Sequence, residues 1–111
     1  MVDGHKIIES VKIEIFLEKI KFIDKNDIEA IDEHAFFRLN IKDRKTFKDK
    51  IINEYLLGAD PIFVGIQKNE AWVVIYNYNK EQALKIILNI GLNKVLIITF
   101  YIINKNNIPR I

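Results

Sequence analysis

Apolar and polar residues alternate through the second half of the chain, and this alternation predicts four strands joined by short turns. Successive side chains of a strand point to opposite faces of a sheet, so a period of two is typical of a β-meander. The last run is apolar on both sides except at Thr99, which indicates a strand covered on both faces or paired on both edges. The predicted strands span 62–67, 71–78, 84–90 and 95–103.

The first half of the chain shows a helical period instead. Residues 27–40 predict one helix, with Asp27 as the N-cap and an apolar stripe at Ile28, Ile31, Ala35 and Leu39. Residues 45–57 predict a second helix, which opens at Thr46 with Asp49 and ends before Gly58.

Residues 6–23 fit both periods. We interpret them as a short helix followed by a strand near 19–23. If a strand of this segment pairs beside the last meander strand, that strand is no longer an edge. The predicted fold class is therefore α+β, with N-terminal helices packed on a four-stranded antiparallel sheet. The sheet has five strands if the N-terminal strand joins it.

Length and composition favour one packed domain over 1–111. The chain has 111 residues, half of them hydrophobic, which is enough for a single core. The polar stretch 104–111, which contains Pro109, predicts a loose C-terminal tail. No signal peptide and no membrane-spanning run is evident, so a cytoplasmic protein without membrane contact is expected.

The composition also bears on cofactors. The absence of cysteine excludes disulfides and thiolate metal sites. The two histidines, His5 and His34, lack the acidic spacing of a metal site, so no metal and no cofactor is predicted.

Charge is distributed unevenly although the net charge is only +2. An acidic block at 24–33 is followed by a basic block at 38–50. Two interpretations stay open, namely two solvated helix faces or a basic patch that contacts a phosphate backbone.

His34 and Arg38 are the candidate catalytic residues. In a helix, residues four apart share one face, which would place an imidazole beside a fixed positive charge. Such a pair can transfer a proton and hold a phosphate, and Arg44 can add a second guanidinium. The alternative for Arg38 and Arg44 is a salt bridge with a nearby carboxylate. Lys45 and Lys48 are candidate substrate-binding residues that could add diffuse attraction.

Three strand residues are further substrate-binding candidates. Tyr76 and Tyr101 can stack on a base or contact a phosphate at a sheet face, although core packing is the alternative role. Thr99 is the one clearly polar residue of the last strand, so it predicts either a buried hydrogen-bond network or a site residue.

The element order and two short motifs resemble the RelE/ParE toxin superfamily, in an uncharacterised branch of small proteins. The motifs are His34-Ala35-Phe36-Phe37-Arg38 and Ile98-Thr99-Phe100-Tyr101. The resemblance covers about residues 28–103 and implies a toxin of a toxin–antitoxin pair that cleaves mRNA without a metal. It implies a base that activates the ribose 2′-hydroxyl, cations that stabilise the phosphate and an acid for the leaving oxygen.

Carried over by motif, these roles fall to His34, Arg38 and Thr99, with Arg44 and Tyr101 as weaker matches. The expected partners are an acidic antitoxin protein and RNA or the ribosome, and a homodimer is compatible with the apolar last strand. The alternative is a non-enzymatic interaction or RNA-binding module of the same fold.

Overall fold

The computed structural model describes residues 7–30, 50–91 and 93–108. Within these ranges the chain forms six strands, one α-helix and one π-helix. The elements are β1 (Ile7–Ser10), α1 (Ile13–Ile20), β2 (Ile28–Ala30), the π-helix (Ile51–Leu56), β3 (Phe63–Gln67), β4 (Trp72–Asn77), β5 (Gln82–Ile90) and β6 (Val95–Asn104).

All six strands belong to one mixed sheet, in the order β1-β3-β4-β5-β6-β2. β3 to β6 form an antiparallel meander, which confirms the four strands predicted from the alternation. β1 adds antiparallel to β3, whereas β2 adds parallel to β6. The last meander strand is therefore paired on both edges.

The predicted fold class is wrong. The sheet has six strands in mixed orientation rather than four or five in antiparallel order, and residues 28–30, predicted as the start of a helix, form β2. Ile28 lies opposite Val95 and is 2% exposed, so pairing with the edge of β6 outweighs the helical pattern. Asp24, not Asp27, organises this turn, because its carboxylate accepts a hydrogen bond from the Asn26 amide at 2.9 Å.

The N-terminal segment has its strand before its helix, which reverses the predicted order. Phe16 and Ile20 are four residues apart on α1 and both are buried. The helical period, and not the alternating period of a strand, therefore describes residues 13–20. β1 reaches the opposite edge of the sheet from β2 and contains a bulge between Ile7 and Glu9. Gly65 permits this pairing, since a Cβ at that position would lie 3.0 Å from the Glu9 carbonyl oxygen.

The π-helix lies within the predicted helix 45–57, whose residues 45–49, with the Thr46 and Asp49 cap, are outside the described residues. The Leu57 amide donates to the Ile52 carbonyl, five residues back, at 2.9 Å. Gly58 follows the helix as predicted. A Cβ there would overlap the carbonyl oxygen of Asn53, which explains why glycine stands at this close approach.

Two apolar clusters lie on the two faces of the sheet. The first face packs against α1 and the π-helix and is the larger, with fifteen buried residues that include Phe16, Ile51, Val74, Tyr76, Leu84 and Ile97. The second face has a smaller cluster, Ala71, Val73, Ile75, Ala83 and Ile87, flanked by partly buried side chains such as Phe63, Ile98 and Ile103. Strands β4 and β5 are thus apolar on both sides.

The C-terminal segment is more ordered than the predicted loose tail. Asn104 is the last residue of β6. Its side chain accepts a hydrogen bond from the Asn106 amide and thereby caps a short 3₁₀ turn at Lys105–Asn107. Ile108 packs against the second-face cluster. Residues 109–111 lie outside the described residues.

Candidate functional site

The second face of β5 and β6 carries the polar group that best fits a binding site. Lys85 lies directly opposite Tyr101, and Ile87 lies directly opposite Thr99. Residues opposite each other in an antiparallel pair share a face, and so do residues two apart along a strand. Lys85, Thr99 and Tyr101 therefore present their side chains together; we call them the β5–β6 patch.

Lys85 and Tyr101 make direct contact. The Lys85 Nζ lies 5.3 Å from the centroid of the Tyr101 ring, within range for a cation–π interaction. Tyr101 is 41% exposed and Lys85 is half-buried. Two ion pairs occur among the described residues, and neither involves Lys85, so its charge is available at the surface of the sheet.

A bulge in β6 places Thr99 on this face. The register shifts between Ile87 and Leu88, since Leu88 lies opposite Ile97 rather than Ile98. Ile97 belongs to the first-face core, whereas the extra residue Ile98 packs on the second face. A bulge redirects side chains in this way, so Thr99 stands on the face opposite to that of Ile97 although they are two residues apart.

Tyr76 is not at this site. Its ring is on the first face, 1% exposed, and packs edge-on against Tyr55 with ring centroids 5.6 Å apart. Burial, with a smaller contribution from the Asp60 carboxylate, raises the pKa of the Tyr76 phenol far above its usual range. A side chain in this position cannot stack on a base, which contradicts the predicted substrate contact.

The structure leaves the other site predictions untested. His34, Arg38, Arg44, Lys45 and Lys48 all lie outside the described residues. They stay predictions from the sequence.

Lys85 is the site residue that sequence reasoning missed. A hairpin counted from the pair Ile90–Val95 would place Lys85 opposite Phe100, but the bulge moves the partner to Tyr101. Alternation alone does predict an outward Lys85 on an otherwise apolar strand, and this was the available signal.

The described residues contain no group of three or more His, Cys, Asp or Glu side chains that could hold a metal ion. No helix in the described part of the chain is long and apolar enough to cross a membrane. Comparison of the chain with protein-family models, with curated proteins and with solved structures gives no match.

Proposed function

We propose that this protein is the toxin of a toxin–antitoxin pair, a metal-independent ribonuclease that binds single-stranded RNA on the β5–β6 patch. One observation carries the proposal. Thr99 and Tyr101, the two strand residues singled out by the toxin resemblance, share a face with Lys85, which forms no ion pair among the described residues. The bulge in β6 produces this arrangement.

Each side chain of the patch suits one part of an RNA strand. The exposed Tyr101 ring offers a stacking surface to an unpaired base, and bases can reach it only when the strand is single. The Lys85 ammonium group can contact a phosphate while it remains beside the ring. The Thr99 hydroxyl can donate to a phosphate or ribose oxygen.

The cleavage step is assigned from the sequence alone. His34 would accept the proton of the ribose 2′-hydroxyl, whose oxygen attacks the adjacent phosphorus as the bond to the 5′-oxygen breaks. Arg38 and Arg44 would stabilise the charge on the phosphate oxygens. The leaving 5′-oxygen would take up a proton from water, and the protonated His34 would return its proton to the solvent. The products are a cyclic 2′,3′-phosphate and a free 5′-hydroxyl. In the cytoplasm, an acidic antitoxin would bind the protein and inhibit it until the protein is released from the complex.

The second candidate is an RNA-binding module without catalytic activity. The contact between Lys85 and Tyr101 favours it, because this pair can bind RNA whatever the role of His34. Both candidates use the same face and differ only in the fate of the bound strand.

RNA binding is the first test. Fluorescence anisotropy with a labelled single strand of about twelve nucleotides measures the affinity. Tyr101→Ala should weaken binding by about 1–3 kcal/mol, since one stacked base is lost, whereas Tyr101→Phe keeps the ring and the affinity. Phe22→Ala is the control, because Phe22 is 79% exposed and follows α1, which packs on the first face, opposite to the patch. Equal affinities for Tyr101→Ala and the control would contradict this site.

Cleavage is the second test. Expression of the wild-type protein should arrest growth and leave RNA fragments with cyclic phosphate ends, whereas His34→Ala and Arg38→Ala should do neither. If the purified protein binds RNA through Tyr101 but leaves it intact, the non-catalytic module is the function. If it neither binds nor cleaves RNA, both candidates are wrong.

A further inference from the structure

A polar pocket lies at the end of the sheet where the β4–β5 turn meets the end of β6. It has a volume of about 430 Å³ and is lined by Lys80, Glu81, Asn104, Lys105 and Asn106. We call it the turn pocket.

Side-chain hydrogen bonds organise both walls of the turn pocket. Asn79 Oδ1 accepts hydrogen bonds from the Glu81 and Gln82 amides at 3.0 and 2.8 Å, which fixes the β4–β5 turn. The Lys105 amide donates to the Glu81 carbonyl at 3.0 Å and joins the turn to the segment after β6. The two walls are therefore held together without the lysine ammonium groups.

The charge of the turn pocket is positive. Lys80 and Lys105 outnumber the single carboxylate of Glu81, and neither lysine takes part in the ion pairs found among the described residues. The primary amides of Asn104 and Asn106 add N–H donors. Ammonium groups and amide donors around a small opening are the chemistry that recognises a phosphate group.

The turn pocket lies on the same strands as the β5–β6 patch. Asn104 is three residues after Tyr101 on β6, a distance of about 10 Å along the strand. Ile103 and Ile108 both pack on the second face, so the chain beyond β6 turns toward the face that carries Tyr101. One extended strand of nucleic acid can contact both places.

We propose that the turn pocket binds a backbone phosphate of the RNA strand that stacks on Tyr101. This inference rests on the proposed RNA binding. It adds a second contact, which together with Tyr101 fixes the path that the RNA strand follows across the sheet. It does not depend on cleavage. The contact is independent of base sequence, because phosphates carry no sequence information.

The test is the salt dependence of RNA binding for two charge-matched double variants. Lys80→Gln/Lys105→Gln removes two charges at the turn pocket, and Lys68→Gln/Lys94→Gln removes two at the opposite end of the sheet. Each lost phosphate contact should reduce the salt slope by about 0.7 and the affinity about fivefold at roughly 0.1 M salt. The first variant loses the one phosphate contact and should thus bind about fivefold more weakly, whereas the control should bind as the wild type does. Glu81→Gln should bind more tightly.

Inorganic phosphate gives an independent measurement. Titration followed by NMR should shift the backbone amide signals of Lys105 and Asn106 in the wild type, and these shifts should vanish in Lys80→Gln/Lys105→Gln. If Tyr101→Ala weakens RNA binding but the two double variants keep equal slopes, the inference is wrong and the proposed RNA site stands. If the wild type does not bind RNA, both are wrong.

Discussion

The two faces of the sheet differ in what covers them and in what their tyrosines can do. On the first face, α1 and the π-helix pack over the sheet, and Tyr76 is enclosed with its hydroxyl unpaired among the described residues. On the second face, Tyr101 is exposed beside Lys85. Two tyrosines of the same sheet, on β4 and β6, thus have opposite environments, because the face and not the residue type decides whether their rings are exposed.

The first face should provide most of the stability, and Phe16 tests this most strongly. Its ring is fully buried and lies 6.3 Å from that of Trp72. Phe16→Ala should lower the free energy of unfolding by about 3–5 kcal/mol, since the lost ring leaves a cavity. Urea denaturation measures the change. Phe22→Ala removes the same atoms from an exposed position near the end of α1 and should change stability by less than about 0.5 kcal/mol. Equal losses would show that the first face is not the core.

The sequence predicted the meander because its strands pair with near neighbours through short turns, so local alternation specifies both the strands and their order. The pairing of β2 with β6 joins segments that are distant in the chain, and three residues of Ile28–Ala30 are too few to show a period of two. A helical stripe that began at the same residues was therefore the simpler interpretation. Residues 28–30 form a strand because one edge of β6 is free to pair with them, and a local sequence pattern does not show that this edge is free.

The candidate site shows the same limit on a smaller scale. Alternation places residues 97, 99 and 101 on one face, but the bulge at Ile98 separates Ile97 from the other two. The sequence identified Thr99 and Tyr101 by type, whereas their partner Lys85 depends on a register shift of one residue. Tyr76 was misassigned because alternation gives two faces without saying which one the helices cover.

Tyr76→Phe sharpens the contrast between the two tyrosines. A buried hydroxyl without a partner costs about 1–3 kcal/mol, so its removal should raise the free energy of unfolding by that order. RNA affinity should not change, since the residue lies on the covered face. A lower stability in urea would instead show that the hydroxyl makes a favourable bond.

The pH dependence of the same variant provides a second measurement. Burial raises the pKa of the Tyr76 phenol in the folded state, whereas in the unfolded chain it ionises near pH 10. The unfolded state therefore loses the proton first, and the stability is complete below about pH 10 and falls above it. At pH 10.5 the wild type should lose about 0.8 kcal/mol more than Tyr76→Phe, relative to pH 8. Parallel curves for the two proteins would contradict the assigned burial.

The smallest expected effect concerns the contact between Lys85 and Tyr101. A double-mutant cycle with Lys85→Met and Tyr101→Leu should give a coupling energy of about 0.5–1 kcal/mol in urea denaturation, because the ammonium group lies over the ring. The pair Lys21 and Phe22 is the control, with an Nζ-to-centroid distance of 5.0 Å. Lys21 is also bound to Glu18 at 2.9 Å, so its coupling to the ring should be smaller. If the cycle at Lys85 gives no coupling, the lysine is not held over the ring, and the proposed RNA site would then consist of two independent contacts instead of one preformed pair.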